Sequence, residues 1–169
     1  MNYDLLVPGK RRPPFFSSLR AAVFLFGLFI SFIADICGQD LLISEFMASN
    51  RSGLADSDGD RSDWVEIHNP SGEPVELEGW YLTDDPENLR KWRFPDRVIS
   101  AQRFMLVFAS GKDRIVLLDD GNEEVHTNFS LNRDGEFLAL VEPDGETVSD
   151  EYSPLYPVQE ADVSFGINM

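Results

Sequence analysis

The sequence predicts an all-β domain in the form of a β-sandwich, and three observations support this. Short segments of alternating apolar and polar residues recur about every 8–12 residues, separated by turn signals. After residue 40, no stretch keeps the 3.6-residue apolar period of a helix. Residues 62–84 place two tryptophans on three short strands, and these strands cannot bury such side chains without a second sheet.

The central stretch justifies those three strands one by one. Residues 64–69 alternate with the two-residue period of a strand, and the sequence Asn69-Pro70-Ser71-Gly72 ends it with a turn. Residues 75–78 alternate apolar with acidic side chains and form a second strand with one wet face. Gly79 breaks that strand, and residues 80–83 start a third.

The flanking segments predict the remaining strands of the sandwich. Asp119-Asp120-Gly121-Asn122 is a hairpin signal because Asp-Gly suits the tight turns between antiparallel strands. His126 is expected to start the strand after it, and the two histidines of the chain, His68 and His126, are interpreted as surface or half-buried side chains. In chain order, the further strands are predicted at 41–48, 91–94, 103–109, 115–118, 126–131, 136–142, 147–150 and 163–165.

The central stretch also carries a set of residues found together in a known family: Trp64, Glu66, Asn69, Gly79, Trp80 and Asp84. With the strand at 104–110 and the segment Val163-Ser164-Phe165-Gly166, this pattern resembles the lamin tail domain family, and in particular its secreted bacterial members. The resemblance spans roughly residues 41–166. It implies an immunoglobulin-like β-sandwich and a binding rather than a catalytic role.

The first 38 residues have the organisation of a signal peptide. Lys10-Arg11-Arg12 precede an uninterrupted apolar run of 14 residues, Ala21 to Ala34, which is too short to span a bilayer comfortably. Gly38 permits cleavage before Gln39. We therefore expect a signal peptide at 1–38, a sandwich domain at 39–169 and a secreted, extracellular or cell-envelope location. An uncleaved membrane anchor and lipidation of Cys37 are the alternatives, and only this segment is expected to contact a membrane.

The charge of the chain argues against a nucleic-acid partner. The whole chain has a net charge of −16. Residues 1–38 hold four of its 14 basic and two of its 30 acidic residues, so the rest carries a net charge of −18. Such a surface repels phosphate backbones, so the DNA binding attributed to some lamin tails is not carried over. We interpret the acidic charge of residues 39–169 as a means of keeping the domain soluble or of binding divalent cations.

An acidic loop offers candidate ligands for a metal ion. Asp56, Asp58 and Asp60 alternate around Gly59, and Asp63 follows, so several oxygens can turn toward one point as Ca²⁺ requires. The spacing differs from that of an EF-hand, which has its Gly at the sixth position and a Glu at the twelfth. The alternative is a solvated loop whose carboxylates make turn hydrogen bonds. Calcium is the only cofactor that the sequence suggests.

The sequence predicts no enzyme. It contains no Gly-x-Ser-x-Gly nucleophile elbow and no phosphate-binding glycine loop, and no pattern positions a pair of carboxylates. Trp92 lies between Lys91 and Arg93, where an exposed ring could stack on a sugar, although a place in the core is the alternative.

We therefore expect an exported, non-catalytic binding or adhesion module that contacts a protein or a glycan at the cell surface or outside the cell. The alternatives are a calcium-stabilised structural module and an accessory domain of a larger extracellular enzyme.

Overall fold

A computed structural model describes residues 41–167, which form β-strands and no helix. The predictions for residues 1–38, including the signal peptide and its alternatives, lie outside the described residues. The strands, in chain order, are β1 Leu42–Met47, β2 Asp63–His68, β3 Val75–Glu76, β4 Tyr81–Thr83, β5 Trp92–Arg93, β6 Val98–Ile99, β7 Phe104–Ala109, β8 Arg114–Leu117, β9 Glu123–His126, β10 Leu138–Val141, β11 Val148–Tyr152 and β12 Phe165–Gly166.

The strands form two main sheets and one small one. The larger sheet has six strands in the order β12-β1-β2-β7-β9-β8, and the second has four in the order β11-β10-β4-β5. Strands β3 and β6 pair as a separate two-stranded sheet. All these pairs are antiparallel except β7 with β9, which are parallel and meet at Phe108 and His126. The predicted all-β, immunoglobulin-like sandwich is confirmed.

The core lies between the two main sheets. Val65 and Ile67 of β2 and Val107 and Ala109 of β7 are buried at the two-residue period of a strand. In β1, the register shifts between Ile43 and Glu45, and the fully buried Ile43 and Phe46 are three positions apart. Burial of each large aliphatic side chain contributes about 1.5–3 kcal/mol, so these side chains dominate the stability. The largest fully buried side chains of this core include those of Phe46, Ile43, Ile67, Leu77, Leu82, Leu138, Leu140 and Tyr156.

One side of the sandwich is closed by hydrogen bonds between β1 and β11. The Ile43 amide donates to Oδ2 of Asp150 at 2.8 Å, and the Ser149 hydroxyl donates to the Leu41 carbonyl at 2.9 Å. The Tyr152 ring packs edge-on against Phe46, with 5.0 Å between ring centroids. These contacts tie the edge of one sheet to the other.

The residues of the family pattern have mainly structural roles. Asn69 is fully buried and its side-chain amide donates to the carbonyls of Glu73 and Ile99, at 2.8 and 2.9 Å. Trp80 is in the main core, and Trp64 packs in a second cluster with Met47 and Phe108.

The other members of the pattern fix turns and polar contacts. Gly79 adopts a φ of +88°, and a Cβ there would lie 3.1 Å from Cβ of Pro143. Asp84 pairs with Lys91 at 2.5 Å, and Glu66 accepts a hydrogen bond from the Ser44 hydroxyl at 2.7 Å.

Some predicted strand boundaries are wrong. His126 ends β9 instead of starting a strand, and the chain after it continues outside regular strands. The last strand is Phe165–Gly166 and not 163–165. The position of β9 depends on its pairing with β7 and β8, and that of β12 on its pairing with β1, which the local pattern does not encode.

Candidate functional site

The loop before β2 brings Asp56, Asp58 and Asp60 together. Each offers a carboxylate oxygen, and these oxygens all lie within 4.8 Å of one another. Gly59 allows the reversal with a φ of +85°, and its amide donates to the Asp56 carbonyl at 2.9 Å. The side chain of Asp56 is fully buried, whereas Asp58 and Asp60 reach solvent.

The ammonium group of Lys112 lies at the centre of these three carboxylates. Its Nζ is 2.5 Å from Oδ2 of Asp56, 2.7 Å from Oδ2 of Asp58 and 2.9 Å from Oδ2 of Asp60. Arg114 adds a second ion pair to Asp58. The chain therefore supplies its own cation to this cluster, which we call the lysine-centred cluster (Asp56, Asp58, Asp60 and Lys112).

The charges of the cluster stabilise one another. Burial by itself would lower the pKa of Lys112, but the hydrogen bonds that its ammonium donates to the three carboxylates raise this pKa above its ordinary value. Burial would raise the pKa of Asp56, but the hydrogen bond from Lys112 and those from backbone amides lower it. The hydrogen bond from Lys112 is the main reason why the pKa of Asp58 is lowered. The contacts therefore favour the charged forms of Asp56, Asp58 and Lys112.

Asp63, the fourth predicted metal ligand, lies outside this cluster. Its Oδ1 accepts the Asn50 amide at 3.0 Å, and burial raises the pKa of its carboxyl. Asp63 thus anchors the start of the acidic loop to β2. The structure brings three of the four predicted ligands together and separates the fourth.

Both histidines are buried, which corrects the expectation of surface or half-buried side chains. His126 is 0% exposed, and its Nδ1 is 2.9 Å from Oγ of Ser110. Its Nε2 is 3.7 Å from a carboxylate oxygen of Glu124, and burial lowers the pKa of the ring. Ser110, His126 and Glu124 form a polar cluster whose imidazole is fully buried. Glu124 also accepts the Ser57 amide at 2.9 Å, which connects this cluster to the acidic loop.

Strand β8 leaves the edge of the six-stranded sheet unpaired. The Leu118 amide donates to the Asn122 carbonyl at 2.8 Å, and this bond sets the alternation of the β8–β9 ladder. The backbone groups of Ile115 and Leu117 therefore point away from β9. The side chains of these two residues are also exposed, by 45% and 71%. Within residues 41–167, β8 contains no proline and pairs with β9 without a register shift, and it begins with the charged Arg114.

A slot opens next to β8, between the edges of the two main sheets. It has a volume of about 300 Å³ and is lined by Trp92, Arg93, Pro95, Asp113, Arg114, Ile115 and His126. Trp92 is only 6% exposed and packs edge-on against Phe94, with 4.8 Å between ring centroids. Of the two interpretations of Trp92, the structure therefore supports the place in the core and not the exposed ring that stacks on a sugar.

Sequence reasoning missed Lys112 and the β8 edge. Lys112 is 56 residues from Asp56 in the chain, and no local signal connects the two. The exposure of Ile115 and Leu117 reverses the expectation for apolar residues and depends on β8 being the last strand of its sheet.

The geometry defines a class of protein: an all-β, immunoglobulin-like sandwich. The family comparison agrees with this class. Residues 37–154 match the model of the Lamin Tail Domain, and the chain belongs to that family. A search of curated proteins finds no match. The family is a non-catalytic, immunoglobulin-like fold that suggests a protein-interaction module. Among residues 41–167, no helix is long and apolar enough to cross a membrane.

Proposed function

We propose that this protein is an exported, non-catalytic module that binds a partner protein through strand β8. The observation that carries this proposal is the unpaired edge of β8, where the backbone groups and the apolar side chains of Ile115 and Leu117 reach solvent together. An extended segment of a partner can add a strand to such an edge: its main chain provides affinity, and its alternate side chains provide specificity.

Export is supported by the basic segment Lys10-Arg11-Arg12 and the apolar run Ala21–Ala34. The high acidic charge of the remaining chain suits a soluble extracellular domain. Expression of the full chain, followed by mass measurement of the product in cells and medium, tests this part. Recovery of the product inside the cell with residues 1–38 still attached would contradict it.

A protein partner is favoured over a glycan. The β8 edge offers main-chain donors and acceptors in the spacing of a strand, which a peptide matches and a sugar does not. The three tryptophans, Trp64, Trp80 and Trp92, are at most 8% exposed, so none presents a ring face for stacking on a sugar.

The proposal is tested by displaying a library of random twelve-residue segments and selecting those that bind the full chain. Leu117→Lys places a charge on the edge of β8 and is expected to reduce the enrichment of binding segments at least tenfold. Val158→Lys is the matched control, because Val158 is 66% exposed but lies outside every strand. Enrichment that survives Leu117→Lys, or binding of the chain to a glycan array instead of segments, would overturn the proposal.

A calcium-stabilised structural module is the second candidate function. It is supported by the convergence of the carboxylates of Asp56, Asp58 and Asp60. The three carboxylates can hold Ca²⁺ only if the ammonium of Lys112 leaves first. At present this ammonium lies within 2.9 Å of a carboxylate oxygen of each residue.

A further inference from the structure

The slot between the two sheets is built to receive an apolar side chain. Ile115 is paired with Val125, which is 2% exposed, so both side chains lie on the core side of their sheet. Trp92 is paired with the fully buried Leu82 and also faces the core. With Pro95, these side chains give the slot an apolar floor, and its volume of about 300 Å³ suits one or two side chains.

Two polar contacts tie the segments before β5 and β6 to β9 and the segment after it. The side-chain amide of Asn128 donates to the Lys91 carbonyl at 2.9 Å. The Arg97 guanidinium pairs with Glu123 at 2.5 Å. These contacts order the segments near the slot before a ligand enters it. A preformed site avoids part of the ordering cost of binding.

The tip of the β8–β9 hairpin is acidic and uncompensated. Asp119 and Asp120 are exposed, and no lysine or arginine within residues 41–167 pairs with either of them. The whole chain carries a net charge of −16, which attracts basic partners over distance. Local and overall charge therefore favour a cation beside this tip.

We propose that the partner segment is an extended, basic strand that pairs with β8, inserts an aliphatic side chain between Trp92 and Ile115, and places a lysine or arginine beside Asp119. This inference rests on the proposed function and adds the chemistry of the partner. Ile115 lies in β8, and Asp119 lies two residues beyond its end, in the turn that leads to β9. Four positions of extended chain span about 13 Å, and the turn shortens this distance, so the basic residue of the partner lies within about four positions of the aliphatic one.

An acidic partner segment is the rival, because Arg93 and Arg114 also line the slot. However, Arg114 pairs with Asp58, and Arg93 follows the core-facing Trp92 on β5, so its side chain points to the opposite face of that sheet. The two guanidinium groups do not face the slot together, and they cannot form a paired anchor for a carboxylate.

The sequences of the segments enriched on the full chain test the inference. We expect an Ile, Leu or Val with a Lys or Arg within about four positions of it. We also expect a synthetic copy of the most enriched segment to protect the Ile115 and Leu117 amides from hydrogen exchange. Selection on Asp119→Asn is expected to reduce the enrichment of the basic residue at least fivefold. Asp134→Asn is the control, since Asp134 is an exposed aspartate of a different glycine turn.

The two proposals fail in different ways. Segments that protect the β8 amides but carry acidic residues, or no charge preference, overturn the basic strand and leave β8 as the docking edge. Segments that leave the β8 amides unprotected, or a selection without enrichment, overturn both. A basic preference that is unchanged by Asp119→Asn also overturns the inference, because it places the contact elsewhere.

Discussion

Nζ of Lys112 lies 2.5 Å from Oδ2 of Asp56, and this pair joins the turn before β8 to the acidic loop before β2. The Asp56 side chain is fully buried, and the lysine side chain is 20% exposed. A buried carboxylate without a partner is costly, so the ammonium of Lys112 offsets the cost of burying Asp56 and the repulsion among the three aspartates. It also holds the loop over His126 and the outer face of the larger sheet.

Replacing the central lysine is expected to convert the cluster into a calcium-dependent element. Lys112→Met leaves Asp56 buried without a counter-ion, which should destabilise the fold by about 2–3 kcal/mol after allowance for partial exposure. Millimolar Ca²⁺ should then restore much of the loss in the variant, while the wild type should unfold at the same temperature in Ca²⁺ and in excess chelator. Thermal unfolding followed by circular dichroism measures both.

Lys91→Met is the matched control for this experiment. Lys91 also forms a 2.5 Å ion pair, with Asp84, but the structure brings no second and third carboxylate to it. Calcium should therefore not rescue that variant. A wild type that is stabilised by Ca²⁺ would show that the ion displaces Lys112 and would favour the calcium-stabilised module.

The stability of the domain should fall in acid because of the same cluster. The pKa of Asp56 is lower in the folded chain than its ordinary value of 3.8, so its contribution is present above about pH 4 and is lost as the pH falls through the lowered pKa. The pKa of Lys112 is raised above its ordinary value of 10.5. Its contribution to stability is therefore present below that pH and is lost in alkali as the pH rises above 10.5. Urea unfolding between pH 6 and 2 should show a shallower decline for Asp56→Asn. An identical slope for the variant would contradict this account.

Removing the side chain of Asn69 should be costly for its size. Its amide donates to the Glu73 and Ile99 carbonyls, and its Oδ1 accepts the Ser71 amide at 3.0 Å, all at a fully buried position. Asn69→Ala leaves these groups without partners, so we expect a loss of about 2–3 kcal/mol in the free energy of unfolding. Chemical denaturation measures it. A loss below 0.5 kcal/mol would mean that water replaces the amide.

Two glycines with almost the same backbone separate strain from steric clash. Gly79 and Gly121 have φ values of +88° and +86°, but only at Gly79 would a Cβ come close to another residue, Pro143. Each alanine substitution should cost about 1–2 kcal/mol for the left-handed backbone. Gly79→Ala should lose about 1 kcal/mol more through the clash. Equal unfolding midpoints for the two variants would exclude the clash.

Local patterns predicted the fold class because they depend on neighbours in the chain. The alternation of residues 64–69 and the turn at Asn69-Pro70-Ser71-Gly72 reflect the pleat of a strand and the stereochemistry of proline and glycine. The burial of Trp80 follows from its position after Gly79 in the same way. Trp92 could not be placed by this reasoning, because the same Lys-Trp-Arg sequence suits a surface ring and a ring whose neighbours alone point outward.

The sequence by itself determined the all-β sandwich, the family and the spacing that lets Asp56, Asp58 and Asp60 converge. Only the tertiary structure decided that Lys112 lies at their centre, that Asp63 lies apart from them, and that β8 is an edge strand with Ile115 and Leu117 exposed. The physical reason is that strand order and ion pairing join residues far apart in the chain. They depend on which strand completes each sheet, and no local period or turn signal records that choice.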